Sequence, residues 1–295
     1  MTVFSIADQG AKGNGRADDT AAIQATVNLA QPGDVVRVPT GGKFLVNGLV
    51  GLDNFMSGGI FLKSDVTLSI EAGASLQAIP NASDHYTVVT VRDCERTKII
   101  GPGSIIGDRD QHAANKDATS QWGFGISIRD SRSVAVQNLT VARLWGDAVT
   151  MTGVSGVLID RSTIDGNRRQ GISVQGEKIK ITNCVFKNAT MSDLDLEIDL
   201  ASQTLRDVLV QYCNFTSTKG GPAHIGVGSP VGTYRGIVIK DCQFNLRMQP
   251  IFVHDNAGNL GTPPWAFLLN RVFYEGMKLP IYRFVGYPQS WSSAS

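Results

Sequence analysis

Five stretches of this chain share one hydrophobic pattern: "SVAVQNLTV", "GVLIDRSTI", "KIKITNCVF", "DVLVQYCNF" and "GIVIKDCQF". Each reads apolar, any, apolar, two polar residues, then a small or apolar residue, any, and a last apolar one. Their first apolar positions, Val134, Val157, Ile179, Val208 and Ile237, stand 23, 22, 29 and 29 residues apart. "DVTLSIEAGASL" from Asp65 and "RTKIIGPGSIIG" from Arg96 follow it more loosely. Alternation of this kind predicts short half-buried strands. A second set lies between them: "GFGISIR", "GDAVTMT", "RQGISVQ", "SDLDLEI", "AHIGVG" and "QPIFVH". There the pairs Ile126/Ile128, Val149/Met151, Ile172/Val174, Leu194/Leu196, Ile225/Val227 and Ile251/Val253 are expected to point inward. Units with two or three short strands and no helix cannot bury themselves alone; stacked, they bury a continuous column. A leucine-rich repeat needs a Leu signature absent here, and the Asn-Gly or Asp-Gly hairpin turns of a sandwich are scarce. The pattern predicts an all-β fold, a parallel β-helix.

The ends fit that expectation. "DDTAAIQATVNLA" reads as a helix over about residues 18–30, capped by Asp18 or Asp19, with Ile23, Val27 and Ala30 on one face. Such a helix is placed to close the open N-terminal edge of the column. The chain is expected to be one domain, with a cap over 1–50, coils over 51–255 and a C-terminal cap or tail over 256–295. The aromatic run from Pro263 caps the far end or binds a partner chain. Cys184, Cys213 and Cys242, with Phe186, Phe215 and Phe244 two residues on, predict an interior ladder of small and aromatic side chains.

Composition narrows the function classes. Of 295 residues 42% are apolar and 18% charged, enough for a sizeable core. A net charge of +1 argues against a nucleic-acid partner, whose footprint is a strongly basic face. No apolar run approaches the roughly 18 residues that span a bilayer. "MTVFSIADQG" has neither a basic nor an apolar leader region, so no export signal is read there.

"GAKGNGRADDTAAIQATV" followed by "GDVVRVPTG", "IFLKSDVTLSIEAGASLQA" and "IIGPGSIIGD" resembles the pectate-lyase-like superfamily of single-stranded right-handed parallel β-helices. That group includes polygalacturonases, uronate epimerases, polysaccharide lyases and phage tailspikes, and the resemblance runs over roughly residues 3 to 245. It implies a right-handed coil and a polysaccharide as substrate or ligand. Polygalacturonases carry N-T-D, D-D, G-H-G and R-I-K on successive turns. The corresponding places here read "WGDAV", "RRQGI" or "DLDLE", and "PAHIGVG", so only Asp147 and His224 stand at matching positions.

The chemistry is expected on the outer wall, around "SDLDLEIDL". Asp193, Asp195, Glu197 and Asp199 alternate with Leu194, Leu196, Ile198 and Leu200. Like charges in a row repel, which points away from a merely solvated strand edge. Registering the coils puts Ser127, Thr150, Ser173, Asp195 and Gly226 in one row. Small flanking residues suggest an open, shallow groove. Same-face neighbours lie about 6.6–6.8 Å apart, and carboxyls roughly 6.5–9.5 Å apart suit an inverting glycoside hydrolase, with Asp195 and Glu197 as acid and base. Lyase chemistry is the alternative, with Arg168 and Arg169 clamping a uronate carboxylate. Asp193, Asp195 and Glu197 also form a possible Ca²⁺ ligand set. Asp147, Asp195, Glu197 and Arg169 are therefore the candidate catalytic residues, and Arg168, Gln175, Asp193, His224, Trp122 and Trp145 the candidate substrate contacts. The tryptophans are candidate sugar platforms or rim packing, and His224 a ligand contact or a packing histidine. The loops Gly107–Gly123 and "HDNAGNLGTPP" from His254 are expected to wall the site.

The leading expectation is an enzyme that cleaves, or less readily epimerises, a uronate-containing polysaccharide outside the cell. The alternative is a non-catalytic recognition column on a virion or cell surface, a homotrimer if it is tailspike-like.

Overall fold

The computed structural model describes residues 1–53, 57–113, 121–198, 203–218, 223–227, 233–245 and the strand backbones 251–254, 267–270, 273–274 and 282–285. Strand follows strand in parallel: each pairs with the equivalent strand of the coil before and after it, in an 18-stranded and a 10-stranded sheet. Three ladders run the length of the coil. One passes through Trp122–Arg129, Val149–Ser155, the start of Ile172–Thr182, Leu194–Leu196 and Ile225–Val227. A second passes through Ala135–Gln137, Leu158–Asp160, the end of Ile172–Thr182 and Thr204–Gln211. The third passes through Ser104–Ile106, Thr140–Ala142, Thr163–Asp165 and Val185–Lys187. The fold is all-β and parallel, as the repeat predicts.

The interior follows from the alternation. Ile126, Val149, Ile172, Val174, Leu194, Leu196 and Ile225 have no exposed surface, and Val134, Val157, Ile179, Val208 and Ile237 are buried beside them. The second set of inward residues therefore stacks against the first, and no unit has a core of its own. Phe186, Phe215 and Phe244 stack face to face at 4.7 Å, tilted by 7° and 5°. Cys184, Cys213 and Cys242 lie beside them as buried free thiols. Adjacent strands in parallel ladders are about 4.8 Å apart, so identical side chains one coil apart meet at contact distance.

The helix spans Thr20–Leu29, with Ile23 and Val27 wholly buried. Asp18, not Asp19, takes the Thr20 amide, at 3.0 Å, while Asp19 turns back to the amides of Lys12 and Gly13. The ladders begin before residue 51 and continue past 255. Val3–Ser5 pairs with Val35–Val38, and Phe267–Asn270, Phe273–Tyr274 and Tyr282–Val285 each join the preceding coil. Among the described residues no helix is long and apolar enough to cross a membrane.

Candidate functional site

The expected row forms: Ser127 pairs with Thr150, Thr150 with Ser173, Ser173 with Asp195 and Asp195 with Gly226. Its outer side is not the open groove that small side chains suggested. Ser127 is 0% and Thr150 4% exposed, and the neighbouring Thr90 is closed over by Gly58, whose amide bonds its hydroxyl at 2.9 Å. In that row exposure returns at Ser173, Asp195 and Gly226, each partly open, and in the next row Arg129, Thr152, Gln175 and Glu197 are partly open as well. The Ser127–Thr150 part of the wall is therefore closed, and the wall opens beside the acidic strand.

Two carboxyls meet there. Asp195 and Glu197 lie two residues apart on the partly open stretch, close enough for the Glu197 charge to act on Asp195. Burial, then the Glu197 and Asp147 charges, hold Asp195 well above the usual carboxylate range, with Arg169 opposing. Asp147 is buried in the turn before its strand. Its Oδ2 accepts from Ser173 Oγ at 2.8 Å and its Oδ1 from the Gln170 amide at 3.1 Å, with Arg169 Nε at 3.6 Å. Burial raises the Asp147 carboxyl against Arg169 and these donors.

The turn that carries Arg168, Arg169 and Gln170 is pinned by main-chain bonds. Arg168 donates to Leu144 O at 3.0 Å, Arg169 to Gly146 O at 3.1 Å, and Gly171 to Ser192 O at 3.0 Å. A side chain at 171 would strike Asp193 O, 2.2 Å from where Cβ would stand, so only glycine lets these coils close. From this turn the Gln170 side chain donates to Asp195 Oδ2 at 2.9 Å.

Several expected contacts lie elsewhere. Asp193, expected on the groove, faces the interior at 1% exposure, and His224 is wholly buried against it. Their contact is 2.6 Å, Asp193 also accepts from Ser217 Oγ at 2.5 Å, and His224 Nε2 donates to Asn245 O at 2.8 Å. With Asp193 inside, Asp193, Asp195 and Glu197 do not converge on a calcium ion, and among the described residues no group of three acidic, His or Cys side chains is placed to hold a metal. Both tryptophans pack against side chains of neighbouring turns. Trp122 stacks with His85 of the preceding coil at 6.4 Å and carries the Arg169 guanidinium at 4.3 Å. Trp145, 2% exposed, stacks with His112 at 4.1 Å and carries Arg168 at 4.0 Å. Arg168 and Arg169 are thus laid on rings rather than held out as a carboxylate clamp, and Arg169 is 13% exposed. Gln175 accepts from Gln203 of the next coil at 3.4 Å. Of the loop expected as a wall, Asp108 and His112 are buried together at 2.8 Å. Asp199, residues 114–120 and residues 255–266 lie outside the described residues.

Sequence reasoning missed Gln170, His85 and His112. Gln170 had a signal: it follows Asp147 by 23 residues, one coil, which puts it over the same corner.

A family model described as a right handed beta helix region matches residues 80–260. The chain belongs to the right-handed β-helix family. Among curated relatives, the exo-poly-α-D-galacturonosidase of Dickeya chrysanthemi is 35% identical over 262 residues, 80% of this chain and 40% of that protein. The chain spans 30–40% of the length of the curated relatives it matches. The polygalacturonase of Erwinia carotovora ssp. carotovora superposes with a TM-score of 0.68 at 17% identity, over 92% of this chain and 75% of that one. PfbA, a surface adhesin of Streptococcus pneumoniae, does so at 0.65 and 16%, over 95% and 81%. At these identities both likenesses bear on the fold alone.

Proposed function

We propose that this chain cleaves an acidic, uronate-containing polysaccharide by hydrolysis at the Asp195–Glu197 pair. The observation that carries this reading is the carboxyl pair on a partly open stretch of the wall, with Asp195 held by Gln170 at 2.9 Å and raised by burial and the Glu197 charge. A carboxyl raised in this way keeps a proton to give to a leaving glycosidic oxygen. Asp195 is the acid in this reading. Glu197 is the base that takes a proton from the attacking water, and Asp147, buried and tied to Ser173 one rung away, keeps the proton on Asp195. Hydrolysis is preferred over elimination because both arginines lie on tryptophan rings, away from the outward clamp that a lyase needs. The named activity of the Dickeya relative supports a galacturonan as the first substrate to try.

The burial of Ser127, Thr150 and Asp147 favours a second reading, a recognition column without turnover, because it leaves little wall for a long chain. An extracellular or surface setting goes with either reading; a trimer and a virion address go with the second alone. In both, the chain is one β-helix domain and the Thr20–Leu29 helix closes its N-terminal end, a role supported by its buried Ile23 and Val27.

Incubation with a panel of uronate polysaccharides, with and without chelator, separates the readings. New reducing ends without the ultraviolet band of an unsaturated uronide support hydrolysis. That band marks a lyase, and tight glycan binding with no product after long incubation marks the recognition column.

A further inference from the structure

Gln170 is the residue that touches both acidic positions. Its main-chain amide donates to Asp147 Oδ1 at 3.1 Å, and its side-chain amide donates to Asp195 Oδ2 at 2.9 Å. It is 4% exposed, in a turn whose neighbours on each side are fixed by hydrogen bonds to two other coils. Its side chain therefore has one place to be.

We propose that Gln170 is a positioning residue: by holding Asp195 Oδ2 as an acceptor, it leaves Oδ1, on the side of Gly226, as the oxygen that carries the Asp195 proton. The argument is one of hydrogen-bond inventory. An amide N–H binds the C=O oxygen of a protonated carboxyl more strongly than its O–H oxygen. The carboxyl has only two oxygens, so a donor on Oδ2 favours the proton on Oδ1. Oδ1 also lies towards Gly226, where a Cβ would stand 3.3 Å from it and where glycine leaves the wall open. The proton is thus presented on the side from which a substrate can approach.

A second consequence is electrostatic. A donor to a carboxyl oxygen favours the ionised form. The charged groups that bear on Asp195 are Glu197 on its own strand and Asp147 and Arg169 from the preceding coils. The two acids hold the proton on Asp195, while Arg169 and Gln170 ease its release. Without Gln170, Asp195 should keep its proton to higher pH and lose its fixed orientation.

This inference rests on the hydrolytic reading for its kinetic arm but not for its titration arm. Gln170→Met keeps length and shape without the donor, and Gln170→Glu keeps the shape while adding an acid. In each variant the Asp195 carboxyl is titrated by carbon NMR on protein labelled at aspartate, assigned through Asp195→Asn. Both variants should raise its midpoint by about one pH unit. In the kinetic arm the alkaline limb of the pH–rate profile should move up with it, and kcat should fall about tenfold with little change in KM. Unmoved midpoints would overturn the proposal. So would lower ones, because they would mean that the amide is turned round and accepts the Asp195 proton instead. If no variant or parent turns over any polysaccharide, the hydrolytic reading fails while the titration still decides the role of Gln170. If Gln170→Met does not fold, Gln170→Glu carries the same test.

Discussion

Replacing Asp195 by Asn changes one charge on the wall and almost nothing else. An amide copies a protonated carboxyl: its oxygen accepts from Gln170 Nε2, and its NH₂ takes the place of the protonated oxygen. In the parent, burial and the neighbouring carboxylates push Asp195 upward. The folded state therefore binds more protons than the unfolded one once pH rises past about 3.9, the ordinary Asp value. Stability must fall with rising pH across that window and level off above the raised folded value. Each pH unit by which a carboxyl is raised costs about 1.4 kcal/mol once it is ionised, so Asp195→Asn should be more stable than the parent at pH 7. For a domain of this size each such unit is about 2–4 °C in Tm. The gap should close towards pH 4, where the parent is protonated as well. Calorimetric scans at half-unit steps from pH 4 to 8 would show it, and the same protein should have lost turnover. If the Asp195→Asn protein melts below the parent at pH 7, or if the gap does not depend on pH, the reasoning is refuted, because neither fits an acid held protonated by its surroundings.

Three other substitutions bear on the same geometry. Glu197→Gln removes the carboxylate beside Asp195, and turnover on the parent's substrate should fall about 10²-fold or more with the fold intact by circular dichroism. Arg169→Met leaves Asp147 buried beside no cation, and chemical denaturation at pH 7 should report a loss of about 3 kcal/mol, shrinking at pH 4 as Asp147 takes a proton. His224→Ala strips Asp193 of its buried partner and should destabilise by about 3–5 kcal/mol while leaving KM unchanged; a large rise in KM would put His224 back in a substrate contact.

The coil and its site row were legible because both depend on period. Val134 to Ile237 repeat at one coil length, so stacking them also stacks Ser127, Thr150, Ser173 and Asp195 without any knowledge of contacts. Asp193 was misplaced for the same reason. Strict alternation through "SDLDLEI" sends it outward with Asp195, but the strand is only Leu194–Leu196, and in the turn before it the period of two no longer applies. There the partners decide, and Ser217 and His224 hold the carboxyl inside. For the tryptophans the sequence left platform and packing open for a different reason. A ring face is open or covered according to what reaches it from neighbouring turns, and His85, His112, Arg168 and Arg169 come from connections with no fixed spacing.

The two acid-bearing clusters now separate by what surrounds them. Asp193 accepts from Ser217 Oγ and meets His224 Nδ1, and His224 Nε2 donates to Asn245 O, so that cluster is bonded inside the column. Asp195 has the Gln170 donor, a second carboxyl beside it and a partly open face. A fully bonded cluster gains nothing from a ligand, whereas a raised carboxyl with an open side is improved by one that accepts its proton. Asp193, Asp195 and Glu197 thus do unlike jobs because the coil turns the first inward and leaves the other two on the wall.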